Sequence, residues 1–461
     1  MNTLARLTAV LICVTGVWLH AGAAPAVTPA PTWKAGVASV VITPHTNMWM
    51  SGYASRTNVS DGKFHDLHAK ALALEDAQGA RLVVVTLDLI GVPRALRLAL
   101  EKRAQDSWKL PPDQLLLNAS HTHSGPEFRV GRVPGWPDFK PTALSEQYGV
   151  DLEEKLVKLI GAALTNRAPA HVGFSRARCG FAMNRRLPTP TGFSNSPYPE
   201  GPVDQDVPIL RVDDAEGKTR AVLFGYACHN TTLALYKFCG DYAGFAQQYL
   251  EADHPGMTAL FLAGCGGDQN PYPRGTVDLA QRHGRTLATA VEAALMPKPK
   301  PLNAPLRAAY ATVEIDYAPP PSREEFQRRT TSKDRYEVQH AKHMLARIEK
   351  EGALPKSYPC PVQVVRFGSD LTLIAIGGET VVDYSLRLKK ELANTGAPVW
   401  VAGYSNDVMG YIPSLRVLRE GGYEAGGAMR YSATHPGPWS DTVEERIIAK
   451  IHQLHDGLRG K

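Results

Sequence analysis

Short runs of apolar residues alternate along the chain with longer segments whose apolar positions recur every three to four residues. Runs of about four to eight apolar residues bounded by turn residues predict buried strands, whereas the wider spacing predicts amphipathic helices. Strands are expected at 81–87, 114–117, 221–227, 258–262 and 306–315, and a hairpin at 362–367 and 371–376. Helices are expected at 152–164, 245–252, 277–295, 381–392 and 441–455, and the charge-rich stretch 323–350 predicts one solvated helix.

The alternation of strands and helices predicts an α/β fold. The chain shows no internal repeat, and its Pro-rich patches at 187–202 and 319–321 lie between predicted elements rather than forming a linker. The 461 residues would suffice for two or three domains of roughly 100–200 residues each. Because no linker separates such parts, we expect residues 35–461 to form one large α/β domain.

The first residues have the pattern of a secretory signal peptide. A short positive start at 1–6 leads into an apolar run at 7–19, followed by small residues at 21–23 of the kind that a signal peptidase accepts. This run of about 13 residues is short for a membrane anchor, which needs roughly 20. We therefore expect a signal peptide at 1–23, a flexible leader at 24–34, and a secreted or periplasmic mature protein without a transmembrane segment.

Composition and charge narrow the function classes. Hydrophobic residues make up 44% of the chain and charged residues 21%, as in an ordinary globular protein. The net charge of +6 is spread along the chain without a basic block, so nucleic-acid binding is not expected. Past the signal peptide the cysteines are odd in number and contain no CxxC pair, which argues against a disulfide framework and a cysteine zinc site. A disulfide between Cys228 and Cys239 stays open.

A His-Thr-His segment is the first candidate for chemistry. His121 and His123 follow a predicted strand, and their spacing of two places both imidazoles on one face of an extended backbone. Such a pair suits a metal ligand beside a proton-transfer group, but it also occurs in amidohydrolase barrels and in metallo-β-lactamase-like enzymes. Ser124 and Gly125 break the pattern of the latter. Taken alone, the pair could also be two polar loop histidines.

Further polar residues follow predicted strands later in the chain. His229 ends one strand, and the glycines of 264–271 would let the backbone approach another group closely or offer amide donors to an oxyanion. Glu379 lies between a strand and a helix, where a carboxylate is often only favoured by the helix dipole. Tyr411 and Tyr423 lie in glycine-rich loops. Each feature alone has an equally good structural explanation.

The order of these motifs resembles the neutral, non-lysosomal ceramidase family. The resemblance runs from about Gly36 to Tyr431, nearly the whole predicted mature chain. Several independent motifs in one order make it far more specific than any one of them. The motifs are the opening segments 35–44 (AGVASVVITP) and 51–56 (SGYASR), Asp88, 121–126 (HTHSGP), Asn184-Arg185, 204–210 (DQDVPIL), His229, 268–271 (DQNP), 377–380 (GGET), and Tyr411 with 421–426 (GGYEAG).

The resemblance implies a single catalytic α/β domain with a mixed sheet and a bound Zn²⁺. It implies His121, His229, Glu379 and Tyr411 as metal ligands. His123 would act as general acid or base, while Arg185 and Tyr423 would line the pocket and steady the oxyanion. The implied activity is that of an exported zinc-dependent hydrolase that cleaves an N-acyl bond of a small-molecule or lipid substrate with metal-activated water. Peripheral membrane contact is compatible with such a substrate.

The sequence departs from the family at three points. Asn270 replaces a serine, which closes a serine acyl-enzyme route and leaves an amide able to donate a hydrogen bond. Glu127 and Phe128 replace glycines and would change the rim of the pocket. The chain ends at Lys461 with no room after the last predicted helix for the family's immunoglobulin-like C-terminal domain. These changes leave the implied metal ligands intact, so the chemistry is better supported than the substrate.

Other functions stay open from the sequence. The same centre would suit another N-acyl compound, such as an acylated amino sugar, or an ester. An amidohydrolase barrel would require eight strand–helix units, against which the hairpin at 362–376 argues. A secreted binding protein on the same fold is the non-catalytic alternative, although all the implied ligands are present.

Overall fold

The computed structural model describes residues 32–128 and 143–459. The predicted signal peptide and residues 24–31 of the predicted leader lie outside the described residues. The first strand begins at Trp33, two residues before the expected start of the domain. It starts there because the Trp33 ring is buried, contacts the Phe367 ring at a centroid distance of 5.9 Å, and donates its indole N–H to the Leu302 carbonyl.

The strands, in chain order, are β1 (Trp33–Val41), β2 (His68–Asp76), β3 (Arg81–Leu87), β4 (Leu115–Ala119), β5 (Ala168–Arg178), β6 (Ala182–Thr189), β7 (Gly192–Tyr198), β8 (Asp206–Asp214), β9 (Thr219–Tyr226), β10 (Thr258–Ala263), β11 (Gln269–Pro271), β12 (Lys300–Pro301), β13 (Leu306–Asp316), β14 (Ser357–Phe367), β15 (Leu371–Ile376), β16 (Glu379–Thr380), β17 (Val399–Ala402) and β18 (Tyr411–Ile412). The helices are α1 (Arg94–Trp108), α2 (Ala143–Thr165), α3 (Asp241–Asp253), α4 (Val277–Leu295), α5 (Arg323–Arg329), α6 (Arg335–Glu351), α7 (Val382–Glu391), α8 (Leu415–Glu420) and α9 (Val443–Gly457).

Two mixed sheets form the centre of the molecule. The larger has the strand order β10-β9-β8-β5-β1-β2-β3-β4, with β12 added beside β5. Its outer pairs β10–β9 and β3–β4 are parallel, and its inner pairs are antiparallel. The smaller sheet has the order β13-β14-β15-β17. A three-stranded sheet β11-β6-β7 and a two-stranded sheet β16-β18 lie apart from these.

The core is arranged in four layers, helices on sheet on sheet on helices. Alternate side chains of β3 show why: Val83 and Val85 face α1 and α2, whereas Leu82 and Val84 face the smaller sheet. Strand β9 divides its side chains in the same way between α3 and α4 on one side and the smaller sheet on the other. Helices α7 and α9 cover the outer face of the smaller sheet. Strands buried on both faces explain the continuous apolar runs in the sequence.

Most of the predicted elements are confirmed, with one clear error. Helix α4 has the predicted bounds, and β14 pairs antiparallel with β15 as the predicted hairpin. The single helix expected at 323–350 is wrong, since it is two helices, α5 and α6. It breaks because the Asp334 carboxylate accepts the backbone N–H of Tyr336 and caps a new helix start. The β14–β15 hairpin and the two separate sheets also exclude an eight-fold barrel for the described chain.

The described cysteines and helices bear on two further expectations. The cysteines past the signal peptide are all buried free thiols, so Cys228 and Cys239 do not form the disulfide that the sequence left open. Within residues 32–128 and 143–459, no helix combines the length and the apolar character that crossing a membrane requires.

Candidate metal centre

Two ligand candidates lie at the carboxyl ends of strands in the larger sheet. His121 follows β4, and His229 follows β9. A parallel bridge between Thr122 and Asn230 joins the residues directly after the two histidines, so both imidazoles enter the site side by side. His121 has a φ of +61°, an unusual conformation for a residue other than glycine, which turns its ring inward.

The other two candidates face each other across the two-stranded sheet. Glu379 of β16 is in register with Tyr411 of β18, and the strands are parallel. The backbone N–H of Glu379 donates to the Gly410 carbonyl at 2.8 Å, and the Trp439 indole N–H donates to the Tyr411 carbonyl at 2.8 Å. Backbone register therefore pairs the carboxylate with the phenol.

The glycine loop after β10 holds the two pairs together. The Gly266 carbonyl accepts from His229 Nδ1 at 2.7 Å, and the Gly267 backbone N–H donates to the Thr380 carbonyl at 2.9 Å. A Cβ on Gly267 would lie 2.5 Å from the Glu379 carbonyl oxygen, so only glycine permits this approach. The sequence prediction that these glycines allow a close backbone approach is therefore confirmed.

The predicted ligand atoms converge on one point. Glu379 Oε2 lies 3.1 Å from His121 Nε2 and 3.3 Å from His229 Nε2. His229 Nε2 lies 3.3 Å from the Tyr411 hydroxyl. In a tetrahedron with zinc–ligand bonds of about 2.0–2.1 Å, neighbouring ligand atoms lie roughly 3.3 Å apart. The spacing of the side chains thus fits a small tetrahedral cation.

The hydrogen bonds of the two imidazoles explain why a cation fits there. His121 Nδ1 contacts the Ile90 carbonyl at 2.6 Å, and His229 Nδ1 contacts that of Gly266. Because Nδ1 must carry the proton to donate to a carbonyl, both Nε2 atoms face Glu379 with lone pairs. The buried Glu379 Oε2 accordingly has no hydrogen-bond donor. Three electron-rich atoms within 3.1–3.3 Å repel each other unless a metal ion lies between them.

His123 differs from the two ligand histidines. Its Nε2 lies 3.2 Å from His121 Nε2, and the three rings together form a group whose nitrogens lie within 4.8 Å. Its buried Nδ1, however, has no hydrogen-bond partner. Since His121 Nε2 presents a lone pair toward His123 Nε2, Nδ1 is the nitrogen of His123 that has no partner. A ring nitrogen without a partner can take up a proton, so His123 suits proton transfer better than permanent ligation.

Packing rather than hydrogen bonding positions His123. The Tyr53 ring lies 4.7 Å from the His123 ring, centroid to centroid. Gly52 also packs against the His123 ring, since a Cβ at Gly52 would lie 2.5 Å from its atoms. The SGYASR segment near the start of the chain is thus part of the site.

The imidazoles of His123 and His229 are uncharged at neutral pH. Burial, followed by the nearby charge of Arg185, lowers the pKa of His229 to about 4. Burial, followed by the charges that His121 and His229 would carry, lowers the pKa of His123 well below its usual value. A neutral imidazole is the form that binds a metal ion, so the burial of these rings prepares the ligands.

Arg185 connects the ligands to the rest of the pocket. Its guanidinium donates to the Tyr411 hydroxyl at 2.9 Å, to Asn270 Oδ1 at 3.2 Å and to the Glu424 carboxylate at 2.8 Å. Glu424 is buried and also accepts from Arg186, so the buried charges are paired. The sequence analysis missed Glu424, although it directly follows the predicted Tyr423.

Asn270 and Tyr423 lie where hydrogen-bond donors would be useful. Asn270 Oδ1 accepts from Thr231 and Arg185, which directs its amide nitrogen toward the Asn195 Oδ1 and Tyr272 hydroxyl at 3.3 and 3.4 Å. The Tyr423 ring lies 5.4 Å from that of Tyr411, and Tyr423 is 37% exposed. Tyr423 thus borders the mouth of the site.

The structure also adds Tyr404, which the sequence analysis did not single out. Its ring lies 4.6 Å from that of His121, and its hydroxyl lies 3.4 Å from His229 Nδ1. A φ of +50° turns this side chain toward both histidines. The glycine before it, Gly403, was the sequence signal that marked an unusual turn.

Comparisons with known proteins identify one family. Residues 33–274, just over half of the chain, match the family model described as neutral/alkaline non-lysosomal ceramidase, N-terminal. Neutral ceramidases A and B of Dictyostelium discoideum are 24% and 25% identical over 249 residues, or 49% of this chain. The matched region spans only about a third of the length of those relatives, 34% and 33%.

Solved structures show the same fold. Neutral ceramidase from Pseudomonas aeruginosa superposes with a TM-score of 0.71 at 18% identity, covering 93% of this chain and 75% of that one. A ceramidase complexed with C2 gives a TM-score of 0.68 at 17% identity, covering 92% and 76%. The predicted α/β fold with a large mixed sheet is therefore confirmed.

Proposed function

The chain belongs to the neutral/alkaline non-lysosomal ceramidase family, and from that premise we propose that it is a zinc-dependent hydrolase of an N-acyl bond. One observation carries the zinc dependence. Two histidines whose tautomers are fixed by carbonyls present their lone pairs to a carboxylate oxygen that has no donor. That set of nitrogen and oxygen atoms is the kind that catalytic zinc sites use.

The metal would be held by His121, His229, Glu379 and Tyr411. When bound, zinc supplies a water of lowered pKa, about 7, and polarises the carbonyl of the scissile bond. In the net reaction the C–N bond breaks, the water oxygen joins the acyl carbon, and the amine leaves with an added proton. His123 accepts the water's proton and delivers it to the departing nitrogen, because it is the histidine in the group whose Nδ1 has no fixed partner.

The remaining predicted residues position the substrate and its developing charge. Tyr423 is a donor at the mouth, suited to a negatively charged oxygen. The buried Asn270 supports the pocket through its contacts with Arg185, Asn195 and Tyr272. Arg185 acts mainly by holding Tyr411 and Asn270 in place, since three of its nitrogens are already engaged. Asn270 cannot form an acyl-enzyme, so attack by water accounts for the chemistry without a covalent step.

Export is part of the same proposal. The positive start and the apolar run at 1–19 favour a secreted or periplasmic enzyme. The measurement is N-terminal sequencing of the mature protein, which we expect to begin at Ala24. A protein that retains Met1 in its native host would contradict export by this signal.

Free-amine release tests the activity. The purified chain would be assayed with a short-chain ceramide and an N-acyl amino sugar, with and without a chelator. We expect chelator-sensitive release from at least one of them, restored by zinc and absent in His121→Ala. Release that persists after complete zinc removal would contradict the mechanism, and no release from any N-acyl substrate would favour a binding protein on this fold.

A further inference from the structure

Two arginines flank the tyrosine that packs on His123. The Arg56 guanidinium lies 5.0 Å from the centre of the Tyr53 ring. The Tyr53 hydroxyl donates to the Leu233 carbonyl at 3.0 Å, and the backbone N–H of Gly275 donates to the carbonyl of the adjacent Thr232 at 2.8 Å, so Arg274 and Tyr53 lie beside the same segment. Burial, followed by the charge of Asp241, raises the pKa of the Tyr53 hydroxyl, whereas the charges of Arg274 and Arg56 lower it.

Arg56 is a buried cation without a carboxylate partner. It is 6% exposed, and its guanidinium donates to the Ser51 and Leu235 carbonyls. In the described part of the chain no acid forms an ion pair with it, and its buried Nε has no partner. Burial lowers its pKa accordingly. A buried charge paired only with neutral dipoles is costly, and an anion placed nearby would offset that cost.

Arg274 is the exposed counterpart and is fixed in position by its neighbours. The backbone N–H of Tyr272 donates to the Phe181 carbonyl at 3.0 Å, and that of Gly275 donates to the Thr232 carbonyl at 2.8 Å. The Arg274 guanidinium lies 5.5 Å from the centre of the Tyr272 ring, whose hydroxyl contacts Asn270. Among the described residues no acid forms an ion pair with Arg274. It therefore borders the site with its charge available.

The acids near this face are already engaged. Asp241 accepts the backbone N–H groups of Leu233 and Tyr242, and Glu424 accepts from two arginines. Glu379 faces the two ligand histidines. The Tyr53 face thus carries two guanidinium groups that form no ion pair with any described residue, against one buried carboxylate, Asp241, that accepts backbone N–H groups.

We propose that the substrate bears a carboxylate on its amine half, close to the scissile amide, as an N-acyl amino acid does, and that Arg56 and Arg274 recognise it. The anion lies on the amine side because Tyr53 packs against His123, the residue that protonates the departing nitrogen. Charge-assisted hydrogen bonds from a guanidinium to a carboxylate are strong and directional. This inference rests on the proposed function and names the class of its substrate.

A pair of substrates that differ only in charge tests the inference. N-octanoylglycine and its neutral isostere N-octanoylglycinamide would be hydrolysed by the wild type, Arg274→Gln and Arg220→Gln. Arg220 is a matched control, since it is exposed and lies at the other end of β9 from His229. We expect kcat/KM to favour the anionic substrate by about tenfold or more, corresponding to roughly 1.4 kcal/mol. Arg274→Gln should remove most of that preference by lowering kcat/KM for the carboxylate far more than for the amide, and Arg220→Gln should keep it.

Binding separates this inference from the proposed activity. The affinities of both compounds for zinc-loaded His123→Ala would be measured by calorimetry at low and high salt, with Arg274→Gln as the second background. The inference is supported if the carboxylate compound binds more tightly than the amide and its affinity falls at high salt and in Arg274→Gln. This result does not depend on turnover. Equal affinities, or affinity for neither compound, would overturn it. A wild type that binds the carboxylate but hydrolyses neither compound would contradict the proposed function alone.

Discussion

The two halves of the metal site are built differently. The histidine half is carried by β4 and β9, strands of the nine-stranded sheet whose backbones are buried on both faces. The Glu379–Tyr411 half is carried by strands of two residues each, which pair only with each other. Sheet geometry therefore fixes the first half, whereas the second depends on individual contacts with the glycine loop, Trp439 and Arg185.

The match to the family model includes the histidine half of the site and stops before the Glu379–Tyr411 half. The match ends at residue 274 and includes His121, His123, Arg185, His229 and Asn270. Glu379, Tyr411 and Tyr423 lie beyond it. The two histidines follow strands of the larger sheet, whereas the second pair is joined to them by individual hydrogen bonds such as that of Gly267 to Thr380. Substitutions should therefore act on the two halves in distinct ways.

Removing a ligand of the sheet-borne half should have the largest effect. In His229→Ala we expect zinc content to fall from about one ion per chain to near zero and hydrolysis to reach background, because the tetrahedral ligand set loses one of its four members. The thermal midpoint should change little in zinc-free protein, since β9 is held by its sheet. The measurement is metal analysis by mass spectrometry, with the exposed His452→Ala as the control. Full zinc content in His229→Ala would contradict the ligand assignment.

Removing His123 should separate catalysis from metal binding. In His123→Ala zinc should stay bound, while kcat falls roughly 10²–10⁴-fold if this residue carries the proton. Metal analysis and steady-state kinetics on the same preparation provide the test. Near wild-type turnover would remove His123 from the reaction, and loss of zinc would make it a ligand instead.

The contact that joins the two halves should have an intermediate effect. In Gly267→Ala the new Cβ would clash with the Glu379 carbonyl oxygen at 2.5 Å and displace the carboxylate. We expect zinc affinity to fall roughly 10–100-fold, as for other groups that orient ligands, and the free energy of unfolding to fall by about 1–3 kcal/mol. Chelator competition and denaturant unfolding are the measurements.

Gly180→Ala is the matched control for that substitution, since a Cβ there meets nothing within 4 Å. It should leave zinc affinity unchanged. Equal zinc affinity in the two variants would show that the glycine loop does not hold the second half in place.

The smallest effect should come from Asn270. In Asn270→Ala one partner of Arg185 and the contacts to Asn195 and Tyr272 are lost, so kcat/KM should fall by about tenfold, the value of one hydrogen bond. Zinc should remain bound. The measurements are the kcat/KM and the zinc content of the variant. Complete inactivation with zinc retained would contradict this small effect and give Asn270 an essential role in the reaction.

Sequence patterns predicted the long strands and helices of the fold best. Buried strands such as 81–87 and helices such as 277–295 have long apolar patterns, and the structure places them at the predicted residues. The break within 323–350 was missed because charged residues are common on both sides of it and only the local cap at Asp334 distinguishes a new start. A side-chain cap of this kind does not alter the spacing of apolar residues, so the hydrophobic periodicity does not reveal it.

The second half of the site could be predicted only from the order of motifs. Two-residue strands have no periodicity, so the register that pairs Glu379 with Tyr411 is invisible in the sequence. Glu424 and Arg56 act through contacts with residues far away in the chain, Arg185 and Leu235. Their roles appear only when the fold brings these partners together.

Anomalous scattering at the zinc edge from crystals of the zinc-loaded protein tests the central claim most directly. We predict one peak per chain, about 2.0–2.2 Å from His121 Nε2, His229 Nε2, Glu379 Oε2 and the Tyr411 hydroxyl, with His123 outside the ligand set. A peak held by His121, His123 and His229 without Glu379 and Tyr411, or no peak at this site, would contradict the account of two halves joined around one metal ion.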